Sequence, residues 1–380
     1  MVAKTYDAKA AGITTGMPVW EAKKLLPESK AHYLSADFTY YGQMSDKMLG
    51  ILARFSPEIE VYSIDEAFVG MNGLRGLWRK GFDEIAQTIC QTIQNETGLT
   101  VSIGISVTKT LAKIASDFNK PNGVTLVPGR QIAPFLGKVK IRDIPGIGGN
   151  REALLHKFKI FTAAEYVATP LPLIQRLLGK CGADLWHELC GTAMFALELG
   201  PKLPKTVART ASLGEVTGNR DILLAHLTHH TTRLVTELVR KRYAAGRLTV
   251  FLTLKSFDKV VAETRFDFPG ANYFSYSAAV AAALEKLYDG NALYRGCGVI
   301  ASDLGTAQMR ARNFDLFGET SGMAGAMAAQ KNPERATKLL ETVDALNQKF
   351  GKHTMLMLAA LPATRQRAPS RFQLPLFEVD

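Results

Sequence analysis

The sequence predicts an α+β protein of several domains, on three observations. Residues 6–128 and 207–306 each alternate strand-like, period-two runs with helix-period runs. Between them lies a helical, glycine-punctuated stretch, and Pro201-Lys202-Leu203-Pro204 interrupts the chain before the second alternating region. At roughly 150 residues per domain, 380 residues make two to three domains.

The elements follow in order. Gly16-Met17-Pro18 is a turn from which a helix starts, to end before Pro27. Phe38–Phe55 spaces Tyr41, Met44, Met48, Leu49 and Leu52 on a helical face, and Pro57 stops it. Glu58–Met71 alternates as a strand, with Ile59, Val61 and Ser63 against Glu60, Tyr62 and Ile64. Phe82–Thr97 is an amphipathic helix closed by Gly98, and Thr100–Val107 is a strand. Lys109–Asn119 is a helix with Leu111, Ile114, Ala115 and Phe118 on one face, ended by Asn119-Lys120-Pro121-Asn122-Gly123. Helical sequence then runs from Ile132 to about Gly200. In the second alternating region, a helix over Asp221–Ala245, a strand over Leu248–Ser256, a helix over Ser275–Tyr288 and a strand over Gly296–Asp303 fit a β-α-β-β-α-β plan, a split βαβ domain. After Gln308 the chain is rich in Gly, Ala and Met, then helical over Pro333–Lys349, and ends in a Pro/Arg-rich tail.

The formal net charge of +11 points to a polyanionic partner, nucleic acid first. The four cysteines, Cys90, Cys181, Cys190 and Cys297, form no C-x-x-C pair and sit at no zinc-finger spacing from a histidine; they read as buried thiols in a reducing cytoplasm. The opening residues contain no apolar secretory core, and no run approaches the ~20 apolar residues of a membrane span.

The chemistry concentrates in Tyr62-Ser63-Ile64-Asp65-Glu66-Ala67-Phe68. Two adjacent acids interrupt an apolar strand pattern, and a buried carboxylate pair is costly unless cations neutralise it. Neighbours on a straight strand point to opposite faces, so both reach one site only if the chain turns there, as at a hairpin tip. Oxygen ligands of this kind suit Mg²⁺, which takes one or two carboxylates plus substrate phosphates. A bare Asp-Glu, taken by itself, reads more readily as a solvated turn than as a metal site.

The surroundings carry a resemblance. Tyr62–Phe68 resembles the palm signature of Y-family (UmuC/DinB-like) translesion DNA polymerases. So do Ser102-Ile103-Gly104-Ile105-Ser106, Lys109-Thr110-Leu111-Ala112-Lys113-Ile114-Ala115-Ser116-Asp117 and Asn119–Gly123, while Tyr6-Asp7-Ala8-Lys9 with Gly12, Gly16-Met17-Pro18 and Glu21-Ala22-Lys23-Lys24 is similar to the fingers segment. The resemblance implies a right-hand polymerase: fingers and palm over 1–128, a helix-hairpin-helix thumb over 129–200, a linker over 201–206, a split-βαβ little finger over 207–306, and a clamp-binding extension over 307–380. It implies that Asp65 and Glu66 are catalytic and metal-binding, with two Mg²⁺ ions in the complete family site. Tyr6, Lys9 and Lys120 would hold the incoming nucleotide; the family usually has Arg at the position of Lys9, and Lys lacks the two-pronged hydrogen bond. Ile144-Pro145-Gly146-Ile147-Gly148 resembles the thumb turn, so Gly146, Ile147 and Gly148 are expected at a DNA phosphate. Arg209-Thr210-Ala211-Ser212-Leu213-Gly214 is similar to the first little-finger strand, and Arg209, Arg247 and Lys255 are candidate phosphate contacts across that sheet.

The C-terminal part resembles the UmuC-like branch through Leu340–Asn347 and through Asn313-Phe314-Asp315-Leu316-Phe317. Gln373-Leu374-Pro375-Leu376-Phe377 is similar to a bacterial clamp-binding peptide, with Gln373, Leu374, Leu376 and Phe377, and Phe314, Leu316 and Phe317, as anchors. The implied partners are primer-template DNA, an incoming deoxynucleotide, a β sliding clamp, and SOS accessory subunits or a recombinase filament; no membrane is expected. The implied location is the bacterial cytoplasm, at the nucleoid during repair. In the family an opening strand supplies a third carboxylate and a steric-gate aromatic; no residue here matches those positions, so the expectation is an N-terminally truncated palm with impaired synthesis and unpaired strand edges. The alternatives are a non-catalytic, clamp-tethered damaged-DNA-binding accessory and, more remotely, a helix-hairpin-helix nuclease or glycosylase.

Overall fold

A computed structural model describes residues 1–200, 203–306 and 333–351, with Met355 and Ala360. The chain divides into two units, Met1–Pro201 and Lys202–Asp380. The two clamp-peptide candidates, 313–317 and 373–377, lie outside the described residues.

The first unit opens with short helices α1 (Tyr6–Ala10) and α2 (Val19–Leu25), then α3 (Phe38–Leu52), whose N-terminus is capped by the Asp37 carboxylate accepting from Thr39 and Tyr40 N–H. The stretch expected as one strand over Glu58–Met71 is a hairpin of two three-residue strands, β1 (Ile59–Val61) and β2 (Ala67–Val69). Helices α4 (Leu74–Trp78) and α5 (Phe82–Thr97) follow, the latter closed by Gly98 at φ 71°. Strand β3 (Ile103–Ser106), helix α6 (Lys109–Phe118) and strand β4 (Val124–Val127) form a parallel β-α-β turn. The helical region consists of α7 (Ile132–Leu136), α8 (Gly149–Lys157), α9 (Ala163–Ala168) and α10 (Leu171–Leu189).

Two apolar clusters organise this unit. Met48, Ile51 and Leu52 of α3 pack with Ile85, Ile89 and Ile93 of α5 beneath the strands. Leu111, Ile114 and Ala115 of α6 pack instead with Phe135, Leu136, Ile144, Ile147, Leu155 and Leu185 of the helical region. Helix α6 is therefore shared: one face belongs to the helical layer, and its backbone lies against β3. Gly104 permits that approach, because a Cβ there would meet the Ala112 carbonyl oxygen and the Ser116 nitrogen.

The second unit realises the β-α-β-β-α-β plan as β5 (Thr206–Thr217), α11 (Arg220–Arg240), β6 (Tyr243–Leu254), β7 (Lys259–Gly270), α12 (Tyr273–Leu287) and β8 (Tyr294–Thr306), with sheet order β5-β8-β6-β7, all antiparallel. Helix α13 (Pro333–Phe350) packs against α11. Leu248, Val250, Leu252 and Val299 meet Leu227, Leu234, Leu238 and Leu284 in the core. The helix expected to reach Ala245 stops at Arg240; Arg242, at φ 54°, turns the chain into β6.

Two thiol expectations need correction. Cys90 and Cys297 are buried, but Cys181 and Cys190 are exposed on the C-terminal half of α10 and just after it. Among the described residues, no helix is long and apolar enough to cross a membrane.

Candidate active site

The hairpin places the two acids. Tyr62 and Ser63 both donate their N–H to the Glu66 carbonyl at 3.0 Å, which closes the tip between β1 and β2. Ser63 Oγ donates to Asp65 Oδ1 at 2.6 Å and accepts the Asp65 N–H at 3.3 Å, fixing the residue before Glu66. The sequence's requirement for a turn is met. Its picture of a buried pair is not: Asp65 is exposed and Glu66 half-buried, so water and cations reach both.

Both acids line one cavity of about 420 Å³, together with Tyr6 of α1, Lys113 and Ser116 of α6, and Lys120. All residues of β2 and β3 line it too, so the hairpin and the β3–β4 pair, which are separate sheets, face each other across it. Lys113 Nζ pairs with Glu66 Oε1 and sits 5.1 Å from the centre of the Tyr62 ring. Lys120 Nζ lies 2.6 Å from Asp117 Oδ1. Burial pulls the Lys120 pKa down, but the Asp117 hydrogen bond and the negative charges of Asp117 and Glu66 outweigh it, so the ammonium is held above the usual lysine range. Lys9 is exposed on α1 and does not line the cavity. Among the described residues, no three His, Cys, Asp or Glu side chains cluster as a metal site.

Behind the tip is a feature that the sequence reading passed over. Glu60 of β1 points inward while Val61 is exposed. Lys109 Nζ donates to both Glu60 oxygens, at 2.7 and 2.6 Å, with side chains only 16% and 9% exposed. Removing one partner of so buried a pair costs about 3–5 kcal/mol. Glu188, with no exposed surface, accepts N–H groups from Thr110 at 3.0 Å, Met194 at 2.6 Å and Phe195 at 3.0 Å. The available signal was spacing: Lys109 and Lys113 stand four apart on a helix, opposite acids six apart on the hairpin.

Comparison with known proteins decides the family. Residues 1–117 match the impB/mucB/samB family, and residues 204–316 match that family's C-terminal domain. The chain belongs to the Y-family DNA polymerases. It is 29% identical over 369 residues to DNA polymerase IV of Pelotomaculum thermopropionicum, covering 95% of this chain and 86% of that protein. It is 25% identical to Protein ImpB of Salmonella typhimurium over 92% of this chain and 82% of that one. Among solved structures, a Y-family DNA polymerase chimera, Dbh-Dpo4(243-245)-Dbh, has a TM-score of 0.66 at 24% identity, covering 80% of this chain and 86% of its own. DinB from Sulfolobus solfataricus has a TM-score of 0.51 at 25% identity, covering 78% and 86%. By family, this Y-family chain is a DNA-directed DNA polymerase, and the mixed α/β architecture agrees with that multidomain fold.

The residues expected on the DNA side of this Y-family chain separate into three groups. Gly146 takes φ 89° in the turn before α8, and its carbonyl accepts from Arg151 Nη1 at 2.7 Å. Ile147 is turned inward: its side chain is buried, and its N–H donates to the Ile144 carbonyl at 3.0 Å, so it does not offer the phosphate contact expected of it. Gly148 caps α8 and leads into that helix's N-terminus. Arg209 is a second correction. It shares the helix-facing side of β5 with Val207 and Ala211, and it pairs with Glu237 of α11 rather than crossing the open face of the sheet. Arg247 lies on the opposite face, with Nη1 3.1 Å from Glu263, and Lys255 is exposed at the end of β6.

Proposed function

We propose that the chain performs template-directed transfer of a deoxynucleotide to a primer 3′-OH across damaged template. The observation that supports this most directly is the convergence of Asp65 and Glu66 with Lys113, Lys120 and Tyr6 on one cavity.

The donor set fits a divalent ion. Two carboxylates line the same cavity, and the Lys113 pair engages Glu66 through Oε1. Asp65 and Glu66 would hold Mg²⁺ with the substrate phosphates. When bound, the ion supplies a Lewis acid that activates the 3′-oxygen and neutralises charge on the leaving pyrophosphate. Lys120, charged throughout the neutral range, holds the triphosphate, and Tyr6 flanks it; Lys9 reaches the same phosphates from the exposed side of α1.

Residues 1–128 act as fingers and palm, 129–200 as thumb, 201–206 as linker, 207–306 as little finger and 307–380 as the clamp-tethering extension. Backbone N–H groups entering α8, with Arg247 and Lys255, track the DNA phosphates, so affinity falls steeply with salt. Clamp capture by Gln373–Phe377, within a bacterial SOS response, completes this reading; deleting those residues abolishes pull-down of the clamp.

The test is primer extension in Mg²⁺ on a template carrying an abasic site. Asp65→Ala lowers the rate at least about 100-fold, and Lys120→Met raises the nucleotide KM about tenfold. Equal rates for Asp65→Ala and the parent chain would sink the enzymatic reading. DNA binding without incorporation by either would favour a clamp-tethered accessory.

A further inference from the structure

Helix α6 grips the carboxylate hairpin at two heights. Lys113 holds the tip through Glu66 and lies over Tyr62. One turn earlier, Lys109 holds the base through both oxygens of Glu60, lies 4.9 Å over the Phe68 ring, and contacts the Ala196 carbonyl at 3.4 Å. Tyr62 and Phe68 meet edge-to-face at 5.4 Å between the two lysines. Glu60 Oε2 also accepts the Glu198 N–H at 2.8 Å, and the start of α6 is tied through Thr110 to buried Glu188. Both oxygens of Glu60 are thus engaged by groups from two separate segments, α6 and the stretch around Glu198. β1 is only three residues long, so a displacement at Glu60 is carried to the tip.

We propose that the buried Glu60–Lys109 pair is a positioning device that sets where Asp65 and Glu66 stand relative to the divalent ion. This rests on the assignment of those two acids as ion ligands. An ion pair kept only for stability is replaceable by apolar packing, whereas one that fixes register is not. Here the pair joins the hairpin to the helix that supplies Lys113, and it touches neither the cavity's nucleotide side nor Lys120.

The test uses the full chain with Mn²⁺ as the probe, titrated by electron paramagnetic resonance in the presence of a deoxynucleoside triphosphate, with thermal unfolding in parallel. The variants are Lys109→Arg, which keeps both charges but changes reach, Glu60→Gln, Asp65→Ala, and Arg54→Met as control. Arg54 forms an exposed pair with Glu96 at 2.7 Å, and neither residue lines the cavity. Lys109→Arg and Glu60→Gln weaken Mn²⁺ binding about tenfold or more, the scale of residues that orient metal ligands, while Arg54→Met leaves it unchanged. Folded variants with parental Mn²⁺ affinity overturn the proposal. So does failure of both to fold, which would make the pair purely structural. If Asp65→Ala itself binds Mn²⁺ like the parent, the ligand assignment fails instead.

Discussion

Both units pack helices on strands through apolar side chains, but the first also has a contact of another kind. In the first, α6 meets β3 backbone to backbone at Gly104, with no side chain between them. In the second, α11 and α12 rest on a layer of Leu, Val and Tyr side chains from four strands of 12 or 13 residues. The first arrangement leaves no freedom in the height of α6, and that height decides where Lys109 and Lys113 reach the hairpin. The second buries a broad apolar sheet face and can absorb small shifts. The comparison separates positioning from bulk stability: the short-stranded unit devotes its strand edges to a cavity, and the long-stranded unit devotes its sheet to a core.

The sharpest way to break that contrast is Gly104→Ala. The added methyl meets the Ala112 carbonyl and the Ser116 nitrogen, both backbone, which cannot rotate away. The expected cost is at least about 3 kcal/mol, at the upper end of overpacking effects, read as a lowered urea midpoint for the first unit. Gly298→Ala in the second unit meets side-chain atoms instead, Thr210 Cγ2 at 2.6 Å and Phe251 Cζ at 2.7 Å, which can adjust. It costs about 1–2 kcal/mol. Equal costs at the two glycines would erase the distinction. Leu248→Ala, at a site with no exposed surface, removes part of the second unit's apolar layer. It costs about 3 kcal/mol, seen by calorimetry in a transition that leaves primer-extension chemistry at permissive temperature intact.

Legibility divided along the same line. The long helices of both units were readable because their apolar spacing persists: Phe82–Thr97 ends where Gly98 demands. The split βαβ plan was readable as a sum, yet β7 was not localised, because Pro269 and the Lys259, Glu263 and Arg265 side chains give Lys259–Gly270 a weak apolar signal. The hairpin's turn at Asp65-Glu66 followed from period-two geometry. What could not be read was which side of β1 is inside. The buried side holds Glu60, a charge, and only the long-range partner Lys109 makes that tolerable. Arg209 misled for the same reason: a basic residue on a strand looks like a DNA contact until Glu237, on a helix 28 residues away, is seen to claim it.

The smallest effect compares the thiols. Cys297 lies in the second unit's core, on β8, and burial pushes its pKa up from an ordinary 9.0 to about 12. The folded state keeps this thiol protonated where the unfolded chain has already lost the proton. Between pH 9 and pH 12 the unfolded state therefore binds fewer protons than the native one, and stability falls as pH rises. Tyr276, in the same core, is raised by burial and acts in the same direction. The second unit's melting temperature should accordingly decline more steeply from pH 9 to pH 10.5 in the parent chain than in Cys297→Ala, even though the variant starts from a lower value. A thiol reagent at pH 8 provides the contrast: exposed Cys181 on α10 is modified in the native state, whereas Cys297 reacts only when the second unit opens. Modification of both at one rate would mean that the second unit's core is no better sealed than the surface of the first, and the division between a positioning unit and a burying unit would not hold.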